Sequence, residues 1–176
     1  RKNINISTSS DKKCFFVESG AEKIYVARAT RLPFHYSGIQ KRINSLIDQY
    51  ICNDINISSG DVVLDCGANI GEFSIFFSEK GAKVIAFEPD PTEFVALQKN
   101  SSDRFSAHNI ALWDKTGELD FYLQNDTGDS SVFKQHEGAE KIKIAARTLD
   151  EFLEAEGVLG PIKLLKLEAE GAEPEI

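Results

Sequence analysis

Methionine is absent from the 176 residues, tryptophan occurs once, and there are three cysteines. Nothing in the composition accounts for the missing methionine. Cys14, Cys52 and Cys66 are odd in number and no pair has metal-ligand spacing, so they read as reduced thiols of a cytoplasmic protein. No apolar run is long enough to span a membrane, and no signal peptide is visible. The first residue is Arg1, so a native leader is not judged from this sequence. A basic patch is lacking too: 20 Lys and Arg are scattered among 28 Asp and Glu, for a net charge of -8. That argues against a nucleic-acid groove and fits a small-molecule partner. What remains is an ordinary globular composition at a length that suits one domain with a sizeable core.

The chain is organised around residues 61–74. Val62 to Leu64 is a short apolar run that reads as a buried strand. Asp65, Gly67, Asn69 and Gly71 follow, and then a helical pattern that places Phe73, Phe76 and Phe77 on one face. Strand, glycine turn and helix let a cofactor approach the backbone, because Gly67 and Gly71 carry no Cβ. Asn69 is the non-glycine type best able to take a left-handed conformation there. The next apolar run, 83–88, ends in Glu88 followed by Pro89. Glu88 stands about 20 residues beyond Gly67, the spacing at which an acid meets ribose hydroxyls in dinucleotide-type folds.

A NAD site would want Gly-x-Gly-x-x-Gly with a pyrophosphate on the helix N-terminus. Here the turn is Gly67-Ala-Asn-Ile-Gly71, and Glu72 opens the helix with a negative charge. A phosphate-free ligand with a ribose and an amino-acid tail fits better; S-adenosylmethionine (SAM) is one, with Asp65 facing its ammonium. A tight turn without any ligand is the bland alternative.

Residues 1–11 are polar and read as a poorly ordered lead-in. Residues 13–18 and 23–28 read as a β-hairpin, Arg31 to Tyr36 as irregular because of Pro33, and Ser37 as the cap of a helix through Ile39, Ile43, Leu46, Ile47 and Tyr50. The expected division is therefore 1–60, a lead-in, hairpin and helix that either cover a site as a lid or extend the core, and 61–176, the cofactor-binding domain. Within the latter, Pro91 to Asn100 reads as a helix with Phe94, Val95 and Leu97 inward, and Phe105 to Leu112 as one strand. Residues 118–123 and 141–146 are further strands, and Thr148 caps a helix carrying Leu149, Phe152 and Leu153. Gln124 to Gly138, with Ser130, Ser131 and His136, reads as a long functional loop. In the last strand, 162–171, Leu165, Leu167 and Ala169 share one side and Lys166, Glu168 and Glu170 the other. Charges confined to its C-terminal half suit either a strand end that opens into a site or a solvated edge. The alternation stops at Ile176, in what reads as the first turn of a further helix, so the last strands of such a sheet are expected beyond this sequence.

Asp65-Cys-Gly-Ala-Asn-Ile-Gly71, Phe87-Glu-Pro-Asp-Pro91, Asn109-Ile-Ala-Leu112, Thr148-Leu-Asp150 and Lys166-Leu-Glu-Ala-Glu-Gly-Ala-Glu173 occur in that order. Together they resemble the FkbM-type family of SAM-dependent methyltransferases from about Asp61 onward. The resemblance implies an α/β fold, the Rossmann-like doubly wound sheet of class I methyltransferases, and methyl transfer to a hydroxyl of a small molecule, sugar or glycan, or natural product, with S-adenosylhomocysteine (SAH) as product. It implies that Asp65, Gly67, Ala68, Asn69 and Gly71 hold the methionine part, that Glu88 and Pro89 lie at the ribose, and that the segment with Asn109 and Ala111 lies beside the adenine. The family usually has Asp where this chain has Glu168.

Methyl transfer from a sulfonium needs alignment, exclusion of water and a base for the hydroxyl proton. Glu170 and Glu168 are the expected base or orienting acids, and His136 a third catalytic candidate. His35, Arg31 and Tyr36 are placed to reach a site, and His108 reads as structural. No metal ligand is assigned; a divalent metal held by these acids is the weaker alternative, because no cluster of metal-ligand type surrounds them. Oligomeric state is not legible. The rival readings are a NAD-dependent oxidoreductase or nucleotide-sugar enzyme, which the glycine spacing, Glu72 and the lack of a Tyr-x-x-x-Lys pair oppose, and a non-catalytic SAM-binding domain.

Overall fold

A computed structural model describes residues 3–124, 130–133, 139–158 and 160–176. At its centre is a parallel sheet of four strands in the order β10-β4-β5-β6. These are β4 (Val62–Cys66), β5 (Lys83–Phe87), β6 (Ser106–His108) and β10 (Ile162–Leu167). The helices α1 (Ile39–Gln49), α2 (Glu72–Glu79) and α3 (Pro91–Ser101) pack on one face and α4 (Leu149–Ala155) on the other. The period-two alternation of a strand divides β4 between two cores. Val63 joins Ile43, Ile47, Phe73, Phe77 and Leu97, while Leu64 joins Ile85, Phe87 and Phe152. Covered on both faces, β4 is buried along its whole length, as its apolar run requires. This is the Rossmann-like doubly wound arrangement.

A second sheet, β7-β9-β8, flanks it: β7 (Ala111–Leu112), β8 (Gly117–Leu123) and β9 (Glu140–Arg147). The single strand expected over 105–112 is therefore broken. β6 stays with β5 and β7 pairs parallel to β9, because Asn109 and Ile110 carry the chain from one sheet to the other.

The third sheet is N-terminal. The expected hairpin is β2 (Phe15–Ser19) and β3 (Glu22–Val26), closed by a two-residue turn with Gly20 at φ 69°. The lead-in is not loose: β1 (Ile4–Thr8) pairs antiparallel with β2. Two further expectations change. Ala29–His35 forms a 3-10 helix around Pro33 rather than an irregular stretch, and Gly38 at φ 110°, not Ser37, opens α1. The N-terminal elements share one apolar core with α2 and α3. Asn100 of α3 ties them to the glycine turn: its Oδ1 accepts from Tyr25 N (2.8 Å) and its Nδ2 donates to Tyr25 O (2.9 Å) and Ile70 O (2.8 Å).

Most of the helix and strand expectations after residue 61 hold; Pro91 stands in the first turn of α3 as expected, and Asp90 before it supplies the side-chain cap. On α3, Ala96 and Leu97 are buried, whereas Phe94 and Val95 are half-buried. The chain closes on a 3-10 turn, Glu173–Glu175. Among the described residues no helix is long and apolar enough to cross a membrane.

Candidate active site

A cleft of about 350 Å³ opens at the C-terminal ends of β4, β5 and β10, where ligands bind in open α/β sheets. Three strand ends build it. After β4 the chain turns through Gly67 (φ 74°), Asn69 (φ 49°) and Gly71 (φ 91°) into α2. Gly67, Ala68 and Asn69 line the cleft. The need for glycine differs from the one expected. A Cβ on Gly67 would sit 1.8 Å from the backbone oxygen of Glu168, and one on Gly71 would meet Leu97 at 2.7 Å. Both glycines admit the protein's own packing, and Gly71 lies outside the cleft wall.

Four amides of this turn are already used. Gly67 N and Ala68 N donate to Phe87 O, Gly71 N to Ala68 O, and Asn69 N to Glu88 Oε2 at 2.7 Å. With these donors satisfied and Glu72 at the start of α2, the turn offers little to a pyrophosphate.

Glu88, just past β5, is 7% exposed and faces the cleft. Its Oε1 accepts from Asp90 N at 2.8 Å. Burial pushes its pKa up to about 8, against the opposing pull of the two amides. Pro89 and Ala111 also line the cleft, but Asn109 does not. Asn109 instead holds the loop after β5, donating to Glu88 O (2.7 Å) and Pro89 O (3.1 Å).

The expectation for Asp65 is corrected. Its side chain is fully buried and absent from the cleft wall. Its carboxylate accepts from Ser74 Oγ (2.6 Å) and Lys166 Nζ (3.0 Å), so it anchors a cation below the turn instead of facing a ligand ammonium. Lys166 lies on the edge strand β10, whose Leu165 (39%) and Leu167 (36%) face outward while the lysine turns in. Its ammonium also donates to Gly67 O (2.7 Å) and lies 3.3 Å from Glu168 Oε2. Burial alone would depress this lysine, but Asp65, Tyr50 and Glu168 outweigh it and its pKa is raised.

Glu168 and Glu170 both line the cleft. Tyr50 donates its hydroxyl to Glu168. Glu170 (φ 52°) presents its backbone oxygen to Ser131 Oγ at 3.0 Å, and Ser130 Oγ donates to Asp90 Oδ2 at 2.7 Å. Residues 130–133 thus lie between the ends of β5 and β10. His136 falls outside the described residues. Asp90 also takes Arg28 Nη2 at 2.8 Å.

The N-terminal wall is formed by Arg31, Phe34, Arg42, Leu46, Gln49 and Tyr50. Arg42 Nε lies 2.9 Å from Glu72 Oε1 and His35 Nε2 3.0 Å from the same atom. Burial would raise Glu72, but the His35 hydrogen bond and the Arg42 charge hold it below its usual value. His35 is thus buried behind the wall, and Tyr36, 58% exposed, does not line it. His108 packs against Phe87 and Phe152. Sequence reasoning missed Tyr50, whose helical spacing spoke only for packing. It also missed Lys166 as a buried cation; a lone lysine within an apolar run was the available signal.

The model of the FkbM methyltransferase domain matches residues 65–176. Methyltransferase sdnD of Sordaria araneosa is 30% identical, over 71% of this chain and 62% of its own length. The 2-O-methyltransferase NoeI of Sinorhizobium fredii is 26% identical, over 88% of this chain and 72% of its own length. The 31-O-demethyl-FK506 methyltransferase FkbM of Streptomyces tacrolimicus is 44% identical over 30% of this chain and 21% of its own. The chain therefore spans under two thirds of sdnD.

Proposed function

The chain belongs to the FkbM methyltransferase domain family, whose cofactor is SAM, and we propose from this that it is an O-methyltransferase acting on a hydroxyl of a small molecule, a sugar or glycan, or a natural product. The observation that carries the reading is the pairing, across one cleft, of a buried acid suited to ribose hydroxyls, Glu88, with acids at the far strand end, Glu168 and Glu170.

The residues present fit SAM. Glu88 would accept from the ribose hydroxyls, Gly67, Ala68 and Asn69 would hold the methionine part, and Pro89 and Ile110 to Leu112 would flank the nucleoside; all of them line the cleft. When bound, SAM supplies an activated methyl group. Glu168 orients the acceptor hydroxyl and takes its proton, and Glu170 flanks the acceptor. Residues 1–60 supply the wall with Phe34, Gln49 and Tyr50 against which the acceptor lies, and 61–176 bind the cofactor. The free thiols of Cys14, Cys52 and Cys66 suit a reducing compartment, the cytoplasm.

Calorimetric titration with SAM, SAH and NAD tests the cofactor. Binding of the first two without the third supports the reading, and NAD binding alone refutes it. Transfer of labelled methyl from SAM to a panel of methyl glycosides, glycolipids and hydroxylated polyketides tests the reaction. Normal SAM binding with no acceptor methylated would favour a non-catalytic domain.

A further inference from the structure

Glu168 is not a free surface acid. The Tyr50 hydroxyl donates to its Oε2, and Lys166 Nζ lies 3.3 Å from the same oxygen. Oε1 takes no hydrogen bond among the described residues. The same ammonium holds Asp65 at 3.0 Å and the Gly67 carbonyl at 2.7 Å. One buried cation therefore ties the acid to the turn that carries the cofactor site.

Tyr50 enters from the other side. It closes α1 and packs edge-on against Phe73 of α2, ring centroids 5.8 Å apart. Its ring serves that packing, and a phenylalanine would serve it equally. The hydroxyl has one protein partner among the described residues, Glu168.

We propose that Tyr50 and Lys166 are positioning residues for methyl transfer. They hold Glu168 by one oxygen so that the other meets the acceptor hydroxyl in line with the cofactor's methyl. This rests on the reading of Glu168 as proton acceptor. The acceptor oxygen forms its bond to the methyl carbon as the carbon–sulfur bond breaks, with the electron pair passing to sulfur. The hydroxyl proton moves to Glu168 Oε1 and from there to solvent. Because both holding groups belong to fixed elements, base and cofactor turn keep one registration, and a misplacement of about 1 Å costs on the order of 100-fold in rate.

Tyr50→Phe keeps the ring and removes the hydroxyl. The first readout needs no acceptor. In the SAH complex of the full chain labelled with 13C-glutamate, the Glu168 carboxyl signal is assigned by its loss in Glu168→Gln. Its chemical shift is expected to move in Tyr50→Phe, since the hydroxyl's hydrogen bond to the carboxylate is lost while Lys166 and Asp65 stay in place. An unmoved signal would overturn the proposal. The second readout uses the best hydroxyl acceptor of the panel. Tyr50→Phe should lower kcat about 30-fold with KM for SAM within threefold, and Lys166→Arg should keep more turnover than Lys166→Met. Unchanged kcat in Tyr50→Phe, alongside a collapse in Glu168→Gln, sinks the positioning role and leaves the base. Full turnover in Glu168→Gln sinks the base reading, and the proposal with it.

Discussion

Gly67→Ala separates backbone packing from ligand binding at the centre of the cleft. The residue sits at φ 74°, where an L side chain costs about 1 kcal/mol. The new Cβ would lie 1.8 Å from the backbone oxygen of Glu168. An ordinary contact needs about 3.4 Å, so the end of β10 must retreat by roughly 1.5 Å. The bonds that join the two segments, Glu168 N to Cys66 O (3.1 Å) and Lys166 Nζ to Gly67 O (2.7 Å), cannot both survive that shift. At about 1 kcal/mol for each bond lost, the total destabilisation is about 2–3 kcal/mol. Gly20→Ala is the control: φ is 69° and nothing lies within 4 Å of its Cβ, so it should cost about 1 kcal/mol. Urea unfolding of both variants, read at constant m, gives the difference, and SAH calorimetry on Gly67→Ala should show at least a tenfold loss of affinity. Equal stability of the two variants would refute the close approach of β10 to the turn.

The remaining predictions concern the buried charges. Burial raises Glu88 to about 8, so in the free protein it holds a proton at neutral pH, and binding through the ionised form releases it. SAH affinity should therefore increase with pH up to about 8, by at most about tenfold per unit, and calorimetry in buffers of different ionisation enthalpy should count the proton. Glu88→Gln removes that slope. Its amide can no longer accept from both Asn69 N and Asp90 N, so affinity should also fall by about tenfold or more. Arg28→Met leaves Asp90 and Glu93 buried without that counter-charge, and should destabilise the fold by about 3–5 kcal/mol. Losing the arginine removes the charge that opposes burial at Glu93 and raises that carboxyl further in the folded state, so the deficit is full only above the raised value and shrinks as pH falls through it. Melting at pH 5 and pH 8 should show the smaller deficit at pH 5.

What the sequence made legible follows from local physics. The strand–turn–helix at 62–79 declares itself because its apolar period changes from a run to helical spacing across glycines, and 117–147 because alternation marks half-buried strands. Where the deciding partner is distant or belongs to the backbone, the signal fades. β1 is mostly exposed and joins β2 through main-chain bonds, so its polar residues look like a loose tail. The break between β6 and β7 comes from a change of sheet at Asn109, which no side-chain pattern announces. Asp65 looked like a ligand group because its partner, Lys166, is 101 residues away. Glu88 reaches the cleft at the end of β5 because its spacing from the turn is set by one helix and one strand, both local.

The charge pattern of the cleft explains why these two strand-end acids differ. Glu72 meets Arg42, Asp90 meets Arg28, and Glu168 meets Lys166. Each of these carboxylates has a counter-charge within the protein. Glu88 is buried against two backbone amides, and the acids nearest it, Asp90 and Glu93, push it further up. Two amides do not saturate the lone pairs of a carboxylate. Burial without a counter-charge would be a poor way to stabilise a fold, but it suits a group whose remaining acceptor sites are completed by a ligand. A ribose supplies hydroxyl donors there, and a sulfonium, unlike a pyrophosphate, adds no negative charge to a cleft lined by five acids and three bases. A dinucleotide would bring phosphates to a turn with few free amides. The same geometry that disfavours NAD thus favours a cationic nucleoside, and it does so through Glu88 more than through the glycines.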